Sequence, residues 1–506
     1  MPLHRVILRP PLSSPALWLG AACLVVHLFA NANYDVFRDE MYFIVCGEHF
    51  AFGYVDQPPL IPWIAAASHA VFGDALTPLR LAPALAMSAT VALAAELTRR
   101  LGGGRYAQTL AGLATLLSPV LLVDGLLLST DMLQPLTWLG CAWALARLVE
   151  TRDERWWLAF GAFVGVSLLS KYLIGFYLVG LALGVLATPL RRSLARPWIY
   201  AGAALAMLMA SPSLIWQGEH GWPFLELGGA AIGGKNVALS PLGFLAQQAL
   251  NVGPILAPLW IAGLWRLARN PDLRAIPIAY VAMTLLFLIS HGKAYYLAPI
   301  YPTLFAAGAV AFEKWIANRL ARGVVAGVFV VASVIIAPLV LPVLTPETYV
   351  RYARALRAAP APMERGAQSV LPQYFADMFG WREMAEEVAR VYRALPDDER
   401  ADAVFFGRNY GEAAALDIYG PQFAGPPTIS AHNNYFLWGT RGASGKAVIM
   451  LGGERSKIRA NYANAEVAGH IASRYAMPYE TDIDVYVLRA PKRPLDEIWA
   501  ELKHYD

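Results

Sequence analysis

Residues 78–105 read PLRLAPALAMSATVALAAELTRRLGGGR, and this stretch decides the class of fold. Positions 78–97 are apolar and long enough to cross a bilayer, which takes about 17–25 residues of helix. The stretch opens beside one cation, Arg80, and closes on Arg99, Arg100 and Arg105. Arginine gathered at one end of an apolar run marks a cytoplasmic terminus.

The same unit recurs along the chain. Apolar stretches lie near 15–32, 106–123, 131–148, 157–170, 173–188, 198–215, 243–265, 275–290, 297–316 and 323–344. Together they predict about 11 transmembrane helices. The stretches at 157–170 and 173–188 are short, and also read as one bent pair meeting at Lys171. Composition agrees: 57% of residues are hydrophobic and 15% charged, against roughly 25% charged in soluble domains. The net charge of +4 is split among short loops and gives no nucleic-acid surface. Cys23, Cys46 and Cys141 show neither disulfide nor zinc spacing and read as buried apolar residues. Arg5 and Arg9 precede the first apolar run, which lacks a small-residue cleavage site and reads as a retained span.

The loops alternate in charge. One set carries Arg147, Arg152 and Arg155, then Arg191, Arg192 and Arg196, then Arg266, Arg269 and Arg274, then Lys314, Arg319 and Arg322. The other carries Asp39, Glu40, Asp131, Lys171, Glu219, His220, Lys235, His291 and Lys293. The first set is expected inside and the second outside, with the polar segment 346–506 also outside. Lys171, Lys235 and Lys293 therefore stand on the positive-poor face, where a cation works against the topology and has local work to do.

The long outer loop, 33–77, predicts two interfacial helices, one over 39–50 and one over 60–73 separated by Pro58-Pro59. A carboxylate held there, partly out of water, is a strengthened base towards a hydroxyl. Asp39 and Glu40 are adjacent, so on a helix they diverge by about 100°. Asp39 reads equally as a catalytic base or as a helix N-cap, with Glu40 as its orienting partner. Lys293 and Tyr296, in the run 290–299, read either as phosphate contacts or as interfacial anchors. Lys171 has the same two readings, and Arg80 reads also as a snorkelling residue. Asp56 and His220 are outer donors without metal-ligand spacing. No P-loop or GxGxxG is present, which disfavours a soluble nucleotide donor.

The segment 346–506 changes character. A helix is expected over 379–395 and another near 411–419, with strands at 403–407, 447–451 and 484–489, a small α/β unit. Asn409-Tyr410-Gly411-Glu412 and His432-Asn433-Asn434-Tyr435 read as turns or sugar contacts, and no catalysis is assigned to them.

Several short pieces then fall in a recognisable order. They are Asp39-Glu40-Met41-Tyr42, Asp56-Gln57-Pro58-Pro59-Leu60, Phe72-Gly73 with Leu79-Arg80-Leu81, Asp131, Ser170-Lys171-Tyr172, and Lys293 through Pro299. In this the chain resembles the GT-C glycosyltransferases of the family 39-like type, the protein O-mannosyltransferases and lipid A aminoarabinose transferases. The resemblance implies a transmembrane transferase domain over 1–345 and a periplasmic α/β domain over 346–506. It implies a polyprenyl-phosphate sugar donor, inversion at the anomeric carbon, and a lipid, glycan or protein acceptor at the periplasmic face of the inner membrane. It makes Asp39, beside Glu40, the base, and Arg80, Lys171, Lys293 and Tyr296 donor-phosphate contacts, with Tyr42 and Asp131 as further substrate-site residues. Asp56 and His220 would be the pair for a divalent ion, if one is used. Gln57 departs from the acidic–basic pair that precedes the double proline in aminoarabinose transferases, which shifts the phosphate onto Lys171 and Lys293. A transporter of lipid-linked sugar is the alternative; it would place its polar residues near mid-membrane, whereas these cluster at one face.

Overall fold

The computed structural model describes residues 14–230, 239–358 and 369–505. Lys235, Arg5 and Arg9 lie outside the described residues.

Each apolar stretch falls on a helix or a broken pair of helices. Leu81–Arg100, Pro197–Glu219, Ala294–Trp315 and Arg319–Leu339 are each long and apolar enough to cross a membrane. Their burial sorts them: Ala294–Trp315 is 83% buried and central, while Arg319–Leu339 is 11% buried and leaves its apolar surface to lipid. The chain is an integral membrane protein of helical type.

Two expected continuous spans are broken, each at a proline. Pro241–Val252 turns through 96° into Pro254–Ala268, with Gly253 at φ 101° between them. That backbone suits glycine, and proline cannot continue the first helix. The stretch 106–123 splits into Arg105–Leu117 and Pro119–Asp124. The breaks meet: Ser118 Oγ donates to the Val252 carbonyl at 2.9 Å. Trp156–Ser170 and Ile174–Leu186 are separate helices on either side of Lys171. Lys171 is extended between them (φ −159°), and the helices pack on different partners. Gly161 of the first lies on Gly202 of Pro197–Glu219, and Gly180 of the second lies on Ala279 of Ala275–Ile289. Small residues at such contacts let backbones approach where lipid is as apolar as the side chains.

In the loop 33–77, Arg38–Glu48 and Leu60–Phe72 form the two expected helices and pack together, with Gly47 against the Pro62 carbonyl. The C-terminal segment folds as a five-stranded sheet: β1 (Ala403–Gly407), β2 (Thr428–Ser430), β3 (Ala447–Leu451), β4 (Tyr462–Ile471) and β5 (Ile483–Pro491), in spatial order β2-β1-β3-β5-β4. β1 runs parallel to β2 and β3; β5 is antiparallel to β3 and β4. Period-2 alternation splits its faces. Val404, Val448 and Leu488 pack with Ile429 and Ile498 on one side. Phe405, Ile449 and Val487 face the other way, into a core that includes Met41, Tyr42, Val45 and Ile61 of the loop 33–77. The amphipathic helix Trp381–Arg393 and the helix Tyr410–Tyr419 complete that shared core. β2 and β4 escape a sequence reading because β2 has only three residues and β4 is an exposed edge without alternation.

The tightest helix crossing sets a prediction. A Cβ on Gly308 would meet the Leu259 carbonyl oxygen at 1.9 Å, whereas one on Gly327 would meet nothing within 4 Å. Gly308→Val is expected to cost about 1–3 kcal/mol or more and Gly327→Val little, read as thermal unfolding of the detergent-solubilised protein.

Candidate active site

The helix Arg38–Glu48 begins at Phe37, which is extended and has no side-chain oxygen to cap the first turn. Glu40, in that first turn, takes over: its Oε2 accepts from the Phe37 N–H at 2.9 Å. The carboxylate is fully buried and meets Arg80, also fully buried. Arg80 Nε donates to Glu40 Oε1 at 3.0 Å and Nη2 donates to Oε2 at 2.8 Å. The remaining Arg80 donors go to the Asn31 and Asp35 carbonyls at 2.7 and 2.8 Å. The Leu128 N–H closes the network on Glu40 Oε1 at 3.0 Å.

This geometry departs from two expectations. Glu40 does not orient Asp39; it turns inward and neutralises Arg80. Arg80 does not snorkel, because its guanidinium is enclosed and bonded to Glu40 and two backbone carbonyls. The divergence of neighbouring helical side chains sends Glu40 to the core and leaves Asp39 outside.

Asp39 is not the helix cap either. Its side chain is 30% exposed, and Oδ1 accepts from the Tyr410 hydroxyl at 2.8 Å and from Arg38 Nε at 3.3 Å. Tyr410 comes from the C-terminal unit. Burial pushes its phenol well above the ordinary range; Arg38 pulls it down and Asp39 raises it further, so the hydroxyl stays a donor. The Arg38 guanidinium lies over the Tyr410 ring at 5.2 Å, and Arg38 Nη1 reaches the Tyr479 hydroxyl at 3.1 Å. Gly411 makes room, since a Cβ there would meet Arg38 Cγ at 2.6 Å.

Tyr42 lies beside Tyr410, ring centroids 4.6 Å apart. It donates to Asp56 Oδ1 at 3.1 Å and accepts from the Asn434 N–H at 3.2 Å. Asn433 Nδ2 reaches Asp56 Oδ2 at 3.4 Å, and Asn434 Oδ1 accepts from the Val55 N–H at 2.7 Å. Both clusters read as turns or sugar contacts thus pack onto the loop 33–77. Tyr410 against Asp39 is the contact that no spacing in the sequence signals.

The cations form a second group. Lys171 Nζ donates to both oxygens of Asp131, at 2.9 and 2.7 Å, and lies over the Tyr296 ring at 5.1 Å. Lys171 is therefore no lone cation. Tyr296 packs on Tyr295 at 4.9 Å, and Lys293 Nζ lies 6.0 Å from the Tyr295 ring. The loop 125–133 links the two groups. Leu128 binds Glu40, and Asp131, three residues on, binds Lys171, a chain separation of at most roughly 11 Å.

Asp56 and His220, the candidate metal pair, each have protein partners. Asp56 is held by Tyr42 and Asn433, while His220 stacks on Trp216 at 4.0 Å and bonds the Trp216 carbonyl at 2.8 Å. Among the described residues, no three His, Cys, Asp or Glu side chains come together as a metal site.

Residues 56–216 match the family described as dolichyl-phosphate-mannose-protein mannosyltransferase. The chain is 27% identical over 304 residues to the lipid A galacturonosyltransferase RgtD of Rhizobium johnstonii, which covers 58% of this chain and 60% of that protein. The chain thus spans 60% of the length of the curated relative it matches. ArnT from Cupriavidus metallidurans, solved bound to undecaprenyl phosphate, superposes with TM-score 0.60 at 17% identity, covering 93% of this chain and 97% of that one. Its apo structure gives TM-score 0.61. The fold is that of the GT-C glycosyltransferases, as the sequence motifs led us to expect.

The buried pair yields a direct test. Arg80→Met strands the Glu40 carboxylate and is expected to cost about 3–5 kcal/mol, with Glu40→Met/Arg80→Met recovering part of it in thermal unfolding. A stable Arg80→Met protein defective only in donor binding would instead make Arg80 a phosphate contact.

Proposed function

We propose that this chain is an inverting glycosyltransferase of the inner membrane that uses a polyprenyl-phosphate sugar donor at its periplasmic face. The observation that carries the reading is Asp39. Its carboxylate is partly open, one oxygen is fixed by Tyr410, and the neighbouring acid is committed to Arg80. The family match and the likeness to a lipid A galacturonosyltransferase support the reaction class. The fold shared with an undecaprenyl-phosphate-bound transferase supports the donor.

In the reaction, Asp39 takes the proton of an acceptor hydroxyl as that oxygen bonds to the anomeric carbon. The bond from that carbon to the donor phosphate oxygen breaks, and polyprenyl phosphate leaves with the electron pair. The leaving phosphate gains charge, which a preorganised cation stabilises. Lys171, aligned by Asp131 and seated on Tyr296, serves there with Lys293. Tyr410 holds Asp39 in place without taking its proton, because burial keeps the phenol protonated. The acceptor is a hydroxyl of a lipid, glycan or protein; the relative that acts on lipid A puts a lipid first.

Transfer from labelled undecaprenyl-phosphate sugar to lipid A, in vesicles holding the full chain, tests this. Asp39→Asn is expected to lose about 10²–10⁴ in rate, and wild-type rates in that variant would remove Asp39 as the base. Lys171→Met is expected to lower kcat/KM for the donor by about 10- to 100-fold, the worth of a charged hydrogen bond. Transbilayer movement of the donor without any transfer would identify a transporter.

A further inference from the structure

At the arginine-rich helix ends a cavity of about 630 Å³ opens between Leu81–Arg100, Gln134–Thr151 and Ala257–Ala268. Small-molecule sites run about 300–1,000 Å³. Its charged lining is Arg100, Glu150, Arg266 and Arg269. Glu150 is already engaged, accepting from Arg147 at 2.7 Å and from Arg100 at 3.4 Å. Arg100 also donates to Glu96 at 2.9 Å. Nearby Asp272 is paired with Arg152 at 3.1 Å.

Arg266 and Arg269 are different. Among the described residues neither has a carboxylate within ion-pair distance. Arg266 donates to the Leu101 carbonyl at 3.0 Å, and Arg269 lies over the Trp265 ring at 4.1 Å. A guanidinium carries five N–H donors, so a carbonyl or a ring leaves most of that fork unused. The fork matches the oxygens of a phosphate. Apart from Asn270 the rest of the wall is apolar, including Leu101, Val149 and Leu273, and Trp265 packs on Trp315 at 5.2 Å. Such an aromatic pair beside cations at a helix end belongs to the level of lipid headgroups. A soluble phosphate would have no use for the apolar wall.

We propose that this pocket binds the phosphate headgroup of an anionic phospholipid, with Arg266 and Arg269 on the phosphate oxygens and Leu101, Val149 and Leu273 beside the glycerol and upper acyl chain. The site stands apart from Asp39 and does not depend on the transfer reaction. Basic pockets between transmembrane helices take such headgroups, and each arginine is worth about fivefold in binding.

The test uses the full chain in nanodiscs of phosphatidylcholine doped with phosphatidylglycerol, reading the phosphatidylglycerol that stays bound by native mass spectrometry. Arg266→Gln/Arg269→Gln is expected to retain about 25-fold less, fivefold per arginine. Arg191→Gln/Arg192→Gln removes two exposed arginines outside the pocket and is expected to retain the wild-type amount. Equal loss in both variants, or no loss in the first, overturns the site. Displacement by free glycerol phosphate at equal concentration assigns the pocket to a soluble phosphate and overturns the lipid. If the double variant fails to fold, Arg269→Gln carries the test alone, because that side chain is exposed.

Discussion

The buried ion pair between Glu40 and Arg80 is the constraint on which the region around Asp39 depends. Taking two charges out of water is costly, and the arrangement is favourable only because the bonding groups around the pair are matched. Arg80 spends its donors on one carboxylate and two carbonyls, and the carboxylate collects two backbone N–H groups as well. Those partners come from the end of the first helix, the start of Arg38–Glu48, the start of Leu81–Arg100 and the loop 125–133. Four separate pieces of chain are therefore positioned by one pair. Asp39 inherits its place from this network, since its neighbour is pinned inward.

The second determinant is the seam between the C-terminal sheet and the loop 33–77. The sheet turns one face to its own helices and the other to Arg38–Glu48, and the two sides share apolar core. Along that seam Tyr410, Asn433 and Asn434 reach the loop that carries Asp39, Tyr42 and Asp56. The polar segment is thus bonded to the loop that carries Asp39 rather than an appendage. The phenol that bonds Asp39 is buried by the same packing, which keeps it a donor.

Much of this was readable beforehand, for identifiable reasons. Bilayer thickness forces long apolar runs, so the apolar helices announced themselves, and β1 and β3 were legible with their bounds because buried strands are apolar runs between turns. Glycine and proline at 253–254 broke a helix where hydropathy alone saw one span. The candidate site was legible as residue types: Asp39, Lys171, Lys293 and Tyr296 were singled out before any contact was known. Its pairings were not. Lys171 reads as isolated until Asp131, 40 positions earlier, is brought against it.

The sequence by itself determined the class of protein, the residue types of the candidate site, and the resemblance to GT-C transferases. Those follow from composition, period and order, which are local properties of the chain. Only the tertiary structure decided which of two adjacent carboxylates is buried and which is open. It alone placed Tyr410 on Asp39 across 371 positions and set Arg80 against Glu40. Partners so distant in sequence leave no periodic trace, because their meeting is fixed by packing and by the need of each buried charge for its counter-charge.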